Sequence, residues 1–156
     1  AKTANPPRTF SVEELIPHWM FRLENAWGSW ICTMTKETYS QIKHGTKIEH
    51  LGGISNAMAI RHVAAHAYYE NEDELVDVAR KAMFTHKDFS ALGGGEFFAR
   101  VTHRVLRGIS PRDAIEEVAV LMGGFFEDKT KQAIAKYEEE SNPDSQLPKN
   151  VRGHSP

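Results

Sequence analysis

Gly52-Gly53-Ile54-Ser55-Asn56-Ala57-Met58-Ala59-Ile60-Arg61 opens the stretch that decides how this 156-residue chain is read. Two glycines and two polar residues stand before an alanine-rich run reaching Tyr69; an acidic turn, a second apolar-periodic run and Thr85-His86-Lys87-Asp88 follow. Small residues ahead of a helix let bare backbone N–H groups and a helix N-terminus approach an anionic or polyhydroxyl ligand. A plain structural turn accounts for the same glycines. Ser55 or Asn56 predicts a cap, and Met58, Ile60, Val63, Ala64 and Ala67 predict the apolar positions of a helix. Asn71-Glu72-Asp73-Glu74 ends it and starts the next, with acids suited to a helix N-terminus, and Leu75, Val78, Ala79, Ala82 and Met83 mark the second buried stripe. A helical hairpin returns the chain to its starting level, so the Ser55-Asn56 end and the Thr85-His86 end are expected to line one pocket.

Toward the N-terminus, residues 1–10 read as an extended arm. Ser11-Val12-Glu13-Glu14 has capping-box spacing and predicts a short helix that Pro17 interrupts or restarts. Trp19, Leu23 and Trp27 share a helical stripe and, with Trp30, read as core aromatics. Thr35 to His44 predicts another helix, stopped by Gly45. Toward the C-terminus, Ser90 to Gly95 reads as a flexible entry to a helix carrying Phe97, Phe98, Val101, Val105 and Leu106, without the Lys and Ser/Thr of a phosphate-binding loop. Ser110-Pro111 predicts a capped helix with Ala114, Ile115, Val118, Ala119, Leu121 and Met122 on its buried face, ended by Gly123-Gly124. A last helix spans about Glu127 to Glu140. No strand is expected, so the fold class is all-α: an orthogonal or antiparallel multi-helix bundle over 11–140 as a single domain, with 141–156 as a flexible tail.

Hydrophobic residues make up 40% and charged residues 26% of the chain, the balance of a globular protein. The net charge of −2 and the lack of a basic stripe interleaved with aromatics point away from nucleic acid, and no apolar run is long enough to span a membrane. One cysteine, Cys32, cannot form an internal disulfide, and the first residues lack a signal-peptide core, so a reducing, cytoplasmic setting is expected.

The glycine turn, Ser55-Asn56, Ala57-Met58-Ala59-Ile60-Arg61, Tyr68-Tyr69, Ala79-Arg80-Lys81-Ala82 and Thr85-His86 occur in an order that resembles the middle of the ADP-ribosylglycohydrolase family, which also includes a jellyfish lens crystallin. The resemblance continues through Phe97-Phe98-Ala99-Arg100, Leu106-Arg107-Gly108 and Ser110 to Glu117, covering roughly Trp27 to Val120. It implies the central part of that fold, an ADP-ribosyl substrate, and a substrate-binding set of Gly52, Gly53, Ile54, Ser55, Asn56 and His86. Arg61 matches the arginine of the family's Met-Arg pair, with Ile60 in the methionine's place, and reads as an ion-pairing or capping residue.

The family's hydrolases hold magnesium with carboxylate motifs near both ends of their fold, and neither motif occurs here; Gly123 to Thr130 is only a broken echo of the second. No catalytic residue is assigned. Asn56 offers an amide donor and acceptor for ribose hydroxyls or phosphate, and His86 can donate to a diphosphate or stack on a ring. His62 and His66, four residues apart, are compatible with a zinc-like metal, but no third ligand is evident and solvated or packing histidines are the better explanation. Three readings stand: a chain that contributes the substrate pocket of a magnesium-dependent hydrolase acting on the glycosidic bond of ADP-ribose or a related ribosyl nucleotide, completed by a second protein chain; a non-catalytic binding or structural relative; or an unrelated helical metal-binding protein.

Overall fold

The computed structural model describes residues 10–26, 30–53 and 56–141, with the backbone alone at 56–58. The described residues contain helices and no strand, so the chain is all-α. The arm at 1–9, Trp27, Gly28, Ile54, Ser55 and the tail at 142–156 lie outside the described residues. The chain groups into two compact units, Ala1–Ile109 and Ser110–Pro156.

In the first unit, α1 (Val12–Glu24) begins at Ser11, whose hydroxyl accepts from the Glu14 N–H. Pro17 does not interrupt α1. Its missing N–H frees the carbonyl of Glu13, and both residues lie on the exposed side, where solvent takes up that group. On the other side Ile16 is buried with Leu51 and Phe84, and Val12, Leu15, Trp19 and Met20 pack around them. The expectation of core tryptophans fails at Trp30, which is 87% exposed. α2 (Thr33–Lys43) buries Thr35 and Thr38 and ends before Gly45, whose φ of +83° is the left-handed geometry expected of a helix stop.

After a short 3-10 turn, Ile48–His50, the run Asn56–Ala67 forms a 3-10 helix of 12 residues rather than an α-helix. A 3-10 helix has three residues per turn, so burial recurs every third position: Ala59 and His62 are buried, Ala65 half-buried. The apolar face expected at Ile60, Val63, Ala64 and Ala67 is therefore wrong; the side chain of Met58 lies outside the described residues. Ile60 and Val63 are 68% and 54% exposed, and Ala64 and Ala67 also face outward.

α3 (Glu72–Ala82) is capped by Asn71, whose Oδ1 accepts from the Asp73 and Glu74 N–H groups. Leu75, Val76, Val78, Ala79 and Ala82 are buried along it. α4 (Phe89–Val105) starts at its cap Asp88 and runs unbroken through Gly93-Gly94-Gly95, which are not the flexible entry expected. Glycine inside a helix costs about 1 kcal/mol relative to alanine. The tertiary reason outweighs that cost: a Cβ on Gly95 would lie 2.0 Å from Met83 Sδ. Ala91, Gly95, Ala99 and His103 are buried at four-residue spacing, a narrow face that packs against the 3-10 helix and α3. Arg100 Nη1 pairs with Glu72 at 2.7 Å and its Nε with Glu96 at 3.0 Å, while Arg104 Nε reaches Glu72 at 3.3 Å, fastening α4 to the start of α3.

The second unit is α5 (Pro111–Met122) and α6 (Gly124–Ser141). Ser110 caps α5 with Pro111 in the first turn, as its sequence predicts, and Ala114, Val118 and Ala119 are buried. Leu121, expected on that face, is 57% exposed. Gly123 and Gly124, with φ of +64° and +45°, make the corner that ends α5.

Candidate functional site

The turn at 52–53 and the loop after α3 meet although more than thirty residues separate them. Asp88 N donates to the Gly53 carbonyl at 3.2 Å. A Cβ on Gly53 would stand 2.8 Å from the Thr85 carbonyl oxygen and 3.1 Å from His86 Cδ2. Glycine is therefore needed at 53 to let two backbones approach. Gly52, by contrast, is exposed and has open space beside it. Lys87 Nζ donates to the Ile48 carbonyl and ties the same loop to the 3-10 turn before the glycines.

Thr85 and His86 are both fully buried. The His86 N–H donates to the Met83 carbonyl at 2.9 Å, and its Nδ1 lies 2.7 Å from Thr85 Oγ1. With the threonine hydroxyl donating to Nδ1, the ring carries its proton on Nε2 and keeps one donor to offer. That Nε2 is buried and finds no partner among the described residues. A buried polar atom left unpaired costs about 1–3 kcal/mol, which an oxygen brought to it would recover. Burial, and then the nearby Arg61 cation, hold the His86 pKa below its ordinary value, so the ring is neutral at neutral pH rather than poised to change charge there.

Arg61 sits behind this junction. Its Nη1 donates to the Ala82 carbonyl at 2.9 Å, capping the last turn of α3, and its guanidinium lies 5.2 Å from the Phe84 ring centre and 5.9 Å from that of Trp19. Burial lowers its pKa to about 10, which leaves it charged.

No family model, curated protein or solved structure matches the chain. What the site can do is argued from its own atoms.

Of the residues expected to bind substrate, Gly53 and His86 are in contact and Gly52 adjoins them. Ile54 and Ser55 lie outside the described residues, and the Asn56 backbone begins the 3-10 helix. Thr85 belongs to the junction through its carbonyl and hydroxyl; its place directly before His86 was the available signal. The capping role read for Arg61 in the sequence is met at the Ala82 carbonyl, whereas its place over the aromatic pair Trp19 and Phe84 had no sequence signal.

Magnesium does not fit the donors present at the junction. It needs several oxygen ligands with carboxylates among them. The nearest carboxylate in sequence, Asp88, accepts from Ser90 N at 2.9 Å as the cap of α4, and no group of three or more metal-ligating side chains occurs among the described residues. The His62/His66 pair is self-engaged, with Nδ1 of the first 3.0 Å from Nε2 of the second. Nor, among the described residues, is any helix long and apolar enough to cross a membrane.

His66 also faces His103, their ring centres 6.3 Å apart, and Arg107 Nη1 lies 3.1 Å from His103 Nδ1. Burial lowers the pKa of His62, His66 and His103; for His66, where repulsion from His62, His103 and Arg107 adds to it, the value falls to about 4. Below the unfolded value of about 6.5 the unfolded chain binds more protons than the folded one. Stability is therefore complete above about pH 6.5 and declines as the pH falls toward about 4. The melting temperature should drop across that window, and His66→Gln should make the drop shallower. A flat profile over the same range contradicts the buried, neutral cluster.

Proposed function

We propose that this chain supplies the substrate-holding part of a site for ADP-ribose or a related ribosyl nucleotide, in an all-α arrangement resembling the central part of the ADP-ribosylglycohydrolase fold. The observation that carries the reading is the approach of the Gly53 backbone to Thr85 and His86, which joins the two motifs of the resemblance in one place. The unpartnered His86 Nε2 suits a diphosphate or ribose oxygen, once the enclosing groups part to admit it. Asn56 supplies an amide to the same ligand. The glycine turn contributes backbone rather than side chains.

In this reading the described residues of the chain bind and orient the substrate, and hydrolysis of its glycosidic bond belongs to the assembled protein. The resemblance would have magnesium held by carboxylates of a second chain; the donors at the junction do not fit it. No step of the hydrolysis is assigned to a residue here.

Calorimetric titration of ADP-ribose into wild type, Asn56→Ala and His86→Ala tests the assignment. Each lost hydrogen bond to a charged group is worth about 1.5–3 kcal/mol, so affinity should fall by about 10-fold or more in each variant. Thermal melts report whether each variant is folded. Unchanged affinity in both folded variants refutes the site.

A further inference from the structure

A cavity in the first unit lies outside the residues assigned to the ADP-ribosyl ligand, although Arg61, which stands behind the His86 junction, also lines it. It is a half-open cleft of about 650 Å³ between the start of α1, the 3-10 helix and α3, walled by Leu15, Trp19, Tyr68, Tyr69 and Val78, with Arg61 among its lining residues. That volume lies in the range of small-molecule sites, which pair apolar and aromatic walls with a few polar groups that fix orientation.

Arg61 is what selects the ligand. A guanidinium has five N–H donors, of which Nη1 is engaged by the Ala82 carbonyl. Among the described residues no carboxylate forms an ion pair with it. Desolvation lowers its pKa, yet it stays cationic against an apolar wall, where a charge is favoured when a counter-charge reaches it. Glu14 also lines the cleft, so a ligand bearing several negative charges meets repulsion there. The aromatic walls favour a flat body.

We propose that this cleft binds a small aromatic monoanion, its ring system between Trp19 and Tyr68 and its carboxylate on Arg61. A carboxylate accepts two parallel N–H bonds from a guanidinium, and the low-dielectric wall strengthens them. Tyr68, 54% exposed, stands at the rim and can close over the ring.

The test uses the full chain with 2-naphthoate and its neutral isostere 2-naphthamide as calorimetric probes. Wild type should bind naphthoate at least about tenfold more tightly than naphthamide, the ratio expected when one charge-assisted contact is exchanged for a neutral one. Arg61→Gln should bring the two affinities together, and Tyr68→Ala should weaken both by a similar factor. Because Arg61 also caps α3, Arg61→Gln can lose its fold; the wild-type ratio and Tyr68→Ala then decide. Equal binding of the two probes to wild type, binding of neither, or a naphthoate affinity unchanged in folded Arg61→Gln overturns the proposal.

Discussion

Gly53→Ala should destabilise the first unit by about 1–3 kcal/mol, the usual cost of forcing an added methyl into a close-packed position. The new Cβ would lie 2.8 Å from a backbone oxygen, that of Thr85, which cannot swing aside as a side chain does. Relief requires the 52–53 turn and the Thr85-His86 loop to separate, and the Asp88 N to Gly53 carbonyl bond at 3.2 Å would open with them. Gly52→Ala is the matched control: with open space beside Gly52, it should change stability by no more than about 0.5 kcal/mol. Urea midpoints of the two variants provide the comparison, and equal midpoints contradict the close approach. ADP-ribose binding should be lost with Gly53→Ala and retained with Gly52→Ala.

Phe84→Ala should cost more, about 3–5 kcal/mol, as expected for removing a fully buried aromatic ring. Phe84 is 1% exposed and packs with Ile16 and Leu51. Its ring meets Trp19 edge-on, with centres 5.3 Å apart, and lies beneath the Arg61 guanidinium. Its loss therefore leaves a cavity and weakens the support of a buried cation at once. A urea midpoint within error of wild type would contradict the packing described here. Tyr137→Ala in α6, where the ring is 67% exposed, should move stability little by comparison.

The caps at Ser11, Asn71 and Ser110-Pro111 were legible because each is decided within one turn of chain: a side-chain oxygen accepts a nearby N–H that no carbonyl can reach. The α3 stripe was legible for a related reason. Its apolar residues recur at helical spacing and all fall on one side. The 3-10 helix was not, since its sequence has an equally good α-helical pattern at Ile60, Val63 and Ala64. Burial every third residue, at Ala59 and His62, follows from packing against α3 and α4, which lie later in the chain. Gly95 hid its reason in the same way, because the atom that excludes a side chain there belongs to Met83. Pro17 looked like a break, and its acceptance rests on the exposed side of α1, where solvent reaches the Glu13 carbonyl that it frees.

The site divides along the same line. That the glycine turn and Thr85-His86 would meet followed from a helical hairpin, and Gly53 does meet that pair. Enclosure of the His86 ring did not follow, because it depends on how closely Gly53 lets the turn approach. Its neutral state depends further on burial and on Arg61, a residue of the 3-10 helix that precedes α3. Pattern revealed which segments converge, whereas exposure and charge state come from contacts between them.

The proposed function has one ADP-ribosyl ligand reach the turn at 52–53, Asn56 and His86. Titration of ADP-ribose into isotopically labelled protein, followed through backbone amide resonances, checks this. The Gly52, Gly53, Asn56 and His86 amides should shift together along one saturating curve. Saturable binding that leaves those four amides unmoved, or no binding at all with or without magnesium, contradicts it.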